Sequence, residues 1–175
     1  TDGKLRGLGV VSAWSSSSSA LTPMHFGAGF GSQTDAVGAG GNNPGGNVSN
    51  TDEYNGSGWS AGGAIGTARY TGQGCGSQTA GLICAGNAGP GAANLDVEEY
   101  NGTSFSEQTN ISTGHGSAWM VGIQTAAIVY SGMSNPSPSV ITTNSEEYNG
   151  SSWSEVGNVN TGKYGIMGFG TTKDT

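Results

Sequence analysis

Charge is scarce in this chain. Only 10% of its 175 residues are charged, with 5 Lys+Arg against 12 Asp+Glu and a formal net charge of −7. A DNA or RNA binder needs a basic footprint to neutralise phosphates, so no nucleic-acid partner is expected. Long apolar runs are missing too. None approaches the ~18 residues of a spanning helix, so no membrane insertion is expected, and no signal-peptide pattern is visible. Cysteine and histidine number 2 each, at Cys75, Cys84, His25 and His115. Two thiols do not make a disulfide scaffold and do not reveal a compartment. Two histidines one repeat position out of register supply too few ligands for a metal centre, so no metal or cofactor is expected. There is no Gly-x-Ser-x-Gly elbow and no Walker loop, and the Gly-x-Gly strings lack a following helix. The chain reads as a non-enzyme.

What is abundant is glycine, 34 residues of it, and one phrase written three times. Thr51-Asp52-Glu53-Tyr54-Asn55-Gly56 runs on to Trp59, Val97-Glu98-Glu99-Tyr100-Asn101-Gly102 to Phe105, and Ser145-Glu146-Glu147-Tyr148-Asn149-Gly150 to Trp153. Each copy is a short strand ending in Tyr, an Asn-Gly pair, and a strand opening on an aromatic residue. Asn-Gly in this setting is a strong hairpin signal, predicting a type I′ turn with positive φ at both residues. The tyrosines lie 46 and 48 residues apart, a period that belongs to repeat architectures.

The remaining residues fall into the same register. Thr22, Thr67, Thr113 and Thr161 each open a Gly-rich segment that closes on Phe30-Gly31, Cys75-Gly76, Val121-Gly122 or Phe169-Gly170. A short turn containing Gln33, Gln78 or Gln124 leads to an apolar strand, and a looser Asn/Pro/Gly/Ser stretch leads back to the Tyr hairpin. Each unit is therefore four strands, here called a to d in chain order. Four antiparallel strands per unit of about 45 residues make an all-β fold and match a propeller blade. Glycine in strand a lets inner backbones crowd an axis. The aromatic residue of strand d is expected to fill the wedge between neighbouring units. If strands a and b pair, Cys75 and Cys84 approach across the hairpin, so a disulfide between them is open alongside a plain core role.

An apolar strand closing on Gly40-Gly41, then Tyr54, then Trp59, resembles the kelch repeat of β-propellers, although the Tyr-to-Trp gap is short and only this copy keeps the double glycine. The phrase Glu146-Glu147-Tyr148-Asn149-Gly150-Ser151-Ser152-Trp153-Ser154, with Thr161-Gly162-Lys163-Tyr164 after it, is similar to kelch-like repeats in virion and tail-fibre proteins of marine bacteriophages. The resemblance spans roughly residues 20–170. It implies a kelch-like β-propeller over 1–175 with blades at about 22–61, 67–108 and 113–156, plus a split or partial blade from strands within 1–14 and 163–175. Beginning on Thr1 and stopping at Lys173-Asp174-Thr175 in mid-motif, the chain reads as processed or cut from something longer, so a fragment of a larger ring or fibre is expected ahead of a closed four-bladed ring.

The resemblance further implies a non-catalytic structural or receptor-facing module of a phage fibre or surface appendage, located in the virion or outside the cell. Its partners would be other virion proteins, copies of itself, or a host surface glycan. The alternatives are a secreted carbohydrate-binding or carbohydrate-active propeller, and a spacer that only polymerises. Variable loops on a rigid scaffold are where binding sits, so the b–c loops are the candidate ligand-binding surface, through Asn42, Asn43, Asn47, Asn87 and Asn135. The acidic pairs Asp52-Glu53, Glu98-Glu99 and Glu146-Glu147 cannot converge on one ligand, because adjacent strand residues face opposite ways. Arg69, His115 and Lys163 share one repeat position, which in the first unit is Met24. One carboxylate of each pair is expected to face that basic position.

Overall fold

The structure is a computed structural model that describes residues 18–89, 93–136, 139–165, 168 and 170. Among these there is no helix. The first unit contains β1 (Ala28–Gly31), β2 (Ala36–Ala39), the short arms β3 (Asn42–Asn43) and β4 (Gly46–Asn47), β5 (Thr51–Tyr54) and β6 (Trp59–Ala61). The second contains β7 (Gln73–Ser77), β8 (Ala80–Cys84), β9 (Val97–Tyr100) and β10 (Phe105–Glu107). The third contains β11 (Trp119–Ile123), β12 (Ala126–Tyr130), β13 (Met133–Pro136), β14 (Ser139–Ile141), β15 (Ser145–Tyr148) and β16 (Trp153–Glu155). Each unit forms one four-stranded antiparallel meander: β1-β2-β5-β6 is sheet I, β7-β8-β9-β10 sheet II, and β11-β12-β15-β16 sheet III. β3–β4 and β13–β14 are small hairpins inside b–c loops expected to be irregular. The leading strands adjoin in series, β1 against β7 and β7 against β11.

Apolar side chains decide how the sheets stack. In β8, Gly81 to Cys84 are all buried, because sheet II is covered on both faces. One face meets sheet I in a cluster where Phe30 and Val37 pack on Ile83 and Tyr100. The other meets sheet III, where Cys75, Leu82, Cys84 and Val97 pack on Met120, Val129 and Tyr148. β12 alternates instead, burying Ala127 and Val129 while Ile128 and Tyr130 remain half-buried on its far face.

The deepest residue in each wedge is the tyrosine of strand c, with the aromatic of strand d packed less deeply beside it. Tyr100 is 0% exposed and Tyr148 is 3% exposed, whereas Trp59, Phe105 and Trp153 are only partly buried. Register explains this. Tyr54, Tyr100 and Tyr148 pair directly with Trp59, Phe105 and Trp153, so each outer ring lies against its tyrosine at centroid distances of 5.1, 4.5 and 4.9 Å. Strand d is an edge strand, and its ring covers the tyrosine while Phe105 and Trp153 also pack, partly buried, against the clusters between the sheets.

The c–d connection also differs from a type I′ turn. Four residues separate each Tyr from its partner, and only Gly56, Gly102 and Gly150 have positive φ, at 88°, 90° and 92°. The asparagine instead caps the loop with its side chain: Asn55 Oδ1 accepts from the amides of Ser57 at 3.1 Å and Gly58 at 3.0 Å, and Asn101 and Asn149 repeat the pattern. Asparagine competes for backbone donors in this way, and here that satisfies the loop without a left-handed Asn.

Cys75 and Cys84 are free and buried. They share a face but lie diagonally, since Cys75 pairs with Leu82 and Cys84 with Gln73. Burial pushes the Cys75 thiol up to about 12. Cys84 is raised further by burial and by its neighbour Cys75. Thiolate is the reactive form, so Ellman's reagent should leave both thiols unmodified in the folded protein and titrate both after denaturation. Reaction at the native rate of a free thiol would contradict this packing.

Residues 161–165, with Gly168, continue the repeat. Gly132 N–H donates to Lys163 O at 2.7 Å, as Gly41 N–H donates to Arg69 O at 2.7 Å. Gly165 N–H donates to Ser117 O at 2.9 Å, as Thr71 N–H donates to Phe26 O at 2.6 Å. Gly168 lies so close to Trp119 that a Cβ would fall 1.9 Å from its ring. A fourth segment thus begins against sheet III as a leading strand would. Phe169, and the Leu8–Trp14 piece expected to belong with it, lie outside the described residues.

Candidate functional site

One kind of inter-sheet bond, made at two junctions, fixes which face is which. Gln78, in the a–b turn of sheet II, donates its amide to Tyr54 O at 2.9 Å and Ala36 O at 3.4 Å in sheet I. Gln124 of sheet III repeats this on Tyr100 O at 2.9 Å and Gly81 O at 3.1 Å. The a–b and c–d turns therefore share one face, and the b–c and d–a loops share the other. Gln33 holds the same position in sheet I and is exposed.

The acidic pairs divide their work between the two sides of each sheet. The first carboxylate is buried and binds the segment leading into its own unit. Asp52 accepts from Thr22 N–H at 2.8 Å, Glu98 from Gly66 N–H at 2.8 Å, and Glu146 from Ser112 and Thr113 N–H at 2.9 Å each. It also meets the basic position: Glu98 pairs with Arg69 at 2.9 Å, and Glu146 faces His115 Nε2 at 3.5 Å. The second carboxylate faces the following sheet. Glu53 accepts from Tyr100 Oη, and Glu99 from Tyr148 Oη at 3.1 Å. Burial, and then Glu99, pushes the Tyr148 phenol up to about 12. These carboxylates tie loops and sheets together rather than forming an acid–base couple. Among the described residues no group of three or more His, Cys, Asp or Glu is placed to hold a metal ion.

Glu146 carries a pH prediction. Burial pulls its carboxyl upward, but hydrogen bonds from His115, Ser112 and Thr113 outweigh that and hold it below its ordinary value of 4.5. A carboxylate lowered in the folded state contributes stability that is complete above its unfolded value and is lost as pH falls through the folded one. Glu146→Gln should therefore cost about 1–3 kcal/mol at neutral pH, the penalty for disturbing buried partners. In denaturant titrations the gap from wild type should close as pH drops below the unfolded value. A gap independent of pH would refute the assignment.

The b–c loop asparagines lie on the opposite face and form a partly connected chain. Asn42 Nδ2 donates to Asn47 Oδ1 at 2.7 Å, and Asn47 Nδ2 reaches Asn87 O at 3.2 Å and Ala88 O at 3.1 Å in the next unit. Asn87 is 1% exposed, and its amide donates to Thr71 Oγ1 at 2.9 Å. Asn43 caps its own turn through Gly45 N–H at 2.8 Å. Asn135 sits on β13 opposite Val140, apart from that chain. The structure thus brings Asn42, Asn47 and Asn87 together and leaves Asn43 and Asn135 outside the contact.

A feature not apparent from these loops lies on the same side of the molecule. Phe26, Thr71, Ser117 and Gly165 occupy one repeat position, all in left-handed backbone with φ of 58°, 54°, 53° and 64°. They rim a cavity of about 380 Å³ walled by the leading segments of all four units. At the far end Gly31, Gly76, Gly122 and Gly170 border a second cavity of about 570 Å³. Aligning the four Thr-initiated segments would have revealed the outlying aromatics here: Phe26 stands where the others have Thr71, Ser117 and Gly165, and Trp119 where they have Ala28, Gln73 and Met167.

Compared with known proteins, the chain matches no family model and no curated protein.

Proposed function

We propose that the chain is a non-catalytic, kelch-like β-propeller module of a phage fibre or similar virion appendage, serving as a structural and receptor-facing part. The observation that carries it is the repeated junction. The same glutamine bonds and the same Tyr–Glu contact join sheet I to II and sheet II to III, so each sheet is a blade docked on its predecessor by one rule. Four leading segments around common cavities support a four-bladed ring, with residues 161–165, Gly168 and Gly170 opening the fourth blade. Five of the six carboxylates in the repeated acidic pairs bond to loops or to the next sheet. Phage origin rests on the resemblance of the Tyr–Asn–Gly phrase.

Two measurements test the two halves of this reading. Cryo-electron microscopy of purified virus-sized particles, with mass spectrometry of the same fraction, should find peptides of this chain in a fibre or surface projection. Their confinement to the non-particulate fraction would overturn the virion assignment. Turnover of any glycan by the isolated chain would overturn the non-catalytic one.

A further inference from the structure

The repeats provide an internal control on what the fold itself requires near the axis. At the left-handed rim position, Thr71, Ser117 and Gly165 serve three units, and the first has Phe26. A bulky residue is among the least suited to that backbone region. Phe26 gains little by burial in return, being 64% exposed. Its backbone carbonyl bond to Thr71 would form with any residue there. Two positions further along, Ala28, Gln73 and, by sequence, Met167 correspond to Trp119, which is half-buried and lines the same cavity. Neither backbone geometry nor burial accounts for Phe26, whose ring stands edge-on to the exposed His25 at 5.0 Å, and Trp119, which also packs on Gly168, is the one ring at its repeat position. What the two share is the cavity.

The cavity wall carries no charged residue among those described. Beside the two aromatics it offers the hydroxyls of Thr71 and Ser117, the Gln73 side chain, and glycines that leave backbone polar groups uncovered. The Gln73 amide donates to Thr71 O at 2.9 Å, which leaves its oxygen as an acceptor. The Thr71 hydroxyl accepts from Asn87, so its own hydrogen is available to donate. Aromatic faces combined with neutral donors and acceptors suit a ligand that is apolar on its ring faces, polar on its edge and uncharged. A volume of about 380 Å³ suits one or two rings of that kind. We infer that this axial mouth is a binding site for a neutral saccharide, packed against Phe26 and Trp119. The site rests on the receptor-facing part of the function proposed above, and the two fail separately, because a chain missing from virus particles still binds or does not bind sugar in isolation.

The test is tryptophan-fluorescence titration of the full chain with lactose, maltose and chitobiose, and with 3′-sialyllactose as the charged counterpart. At least one neutral sugar should give a saturable change, with sialylation adding nothing. Phe26→Gly copies the residue at this position in the fourth segment. It should weaken binding by about tenfold or more, the loss of one aromatic contact. The same variant should raise the thermal midpoint by about 2–4 °C, because it removes a strained left-handed phenylalanine. Phe26→Tyr should keep the affinity. No saturable response to any neutral sugar overturns the inference, as does Phe26→Gly binding like wild type. A midpoint that falls together with binding also overturns it, since Phe26 would then be a packing residue.

Discussion

Replacing Arg69 with methionine should cost about 3–5 kcal/mol, because it strands a buried carboxylate. The first unit has Met24 at that position, so the substitution looks mild when the repeats are compared. It is not mild in place. Glu98 is buried and meets the Arg69 guanidinium at 2.9 Å, with both side chains almost fully enclosed. In the first unit the acid is the shorter Asp52, which Thr22 satisfies through both its N–H and its hydroxyl. Equilibrium denaturation of Arg69→Met should therefore show a large loss. The double variant Arg69→Met with Glu98→Gln should recover much of it, since no charge is then left unpaired. A single variant within about 1 kcal/mol of wild type would show that the ion pair contributes as little as an exposed one.

Tyr100→Ala should be equally damaging, at about 3–5 kcal/mol, the range for emptying the seat of a large buried aromatic side chain. Tyr100 fills the junction of sheets I and II, with its ring 6.2 Å from that of Phe30 and its hydroxyl on Glu53. Tyr100→Phe separates the two contributions. It keeps the ring and drops the phenol bond, and should cost about 1–3 kcal/mol by leaving Glu53 short of a donor. Thermal unfolding of both variants decides the matter. Equal losses would mean that the hydroxyl, not the ring, dominates the junction.

The repeat and its strands were legible because their causes are local. The period of Tyr54, Tyr100 and Tyr148, the apolar b strands and the shared basic position all reflect residue identity at fixed spacing. That one carboxylate of each pair faces the basic position followed from strand alternation and the shared position of Arg69 and His115; that it is the first of the pair, Glu98 and Glu146, came from the structure. Other features depended on contacts that spacing does not encode. Asn55, Asn101 and Asn149 were read for their tolerance of positive φ, but their side-chain oxygens took the nearby amides first. Trp59, Phe105 and Trp153 were placed in the wedge for their size; Phe105 and Trp153 do pack at the sheet junctions, but cross-strand register put each ring against its own tyrosine, which takes the deeper seat. Asn42, Asn47 and Asn87 appeared as free loop residues, whereas bonds between neighbouring loops hold them. The cavity under Phe26 and Trp119 required all four leading segments to be seen around one space.

Gln78 and Gln124 address only main-chain oxygens of the preceding sheet, at positions every strand of this kind presents. Such a fastening is blind to the side chains of the module it grips. Modules can then drift in sequence, be duplicated or trade places along the chain while the joint between them stays the same. Diversity can accumulate in the loops without renegotiating the assembly.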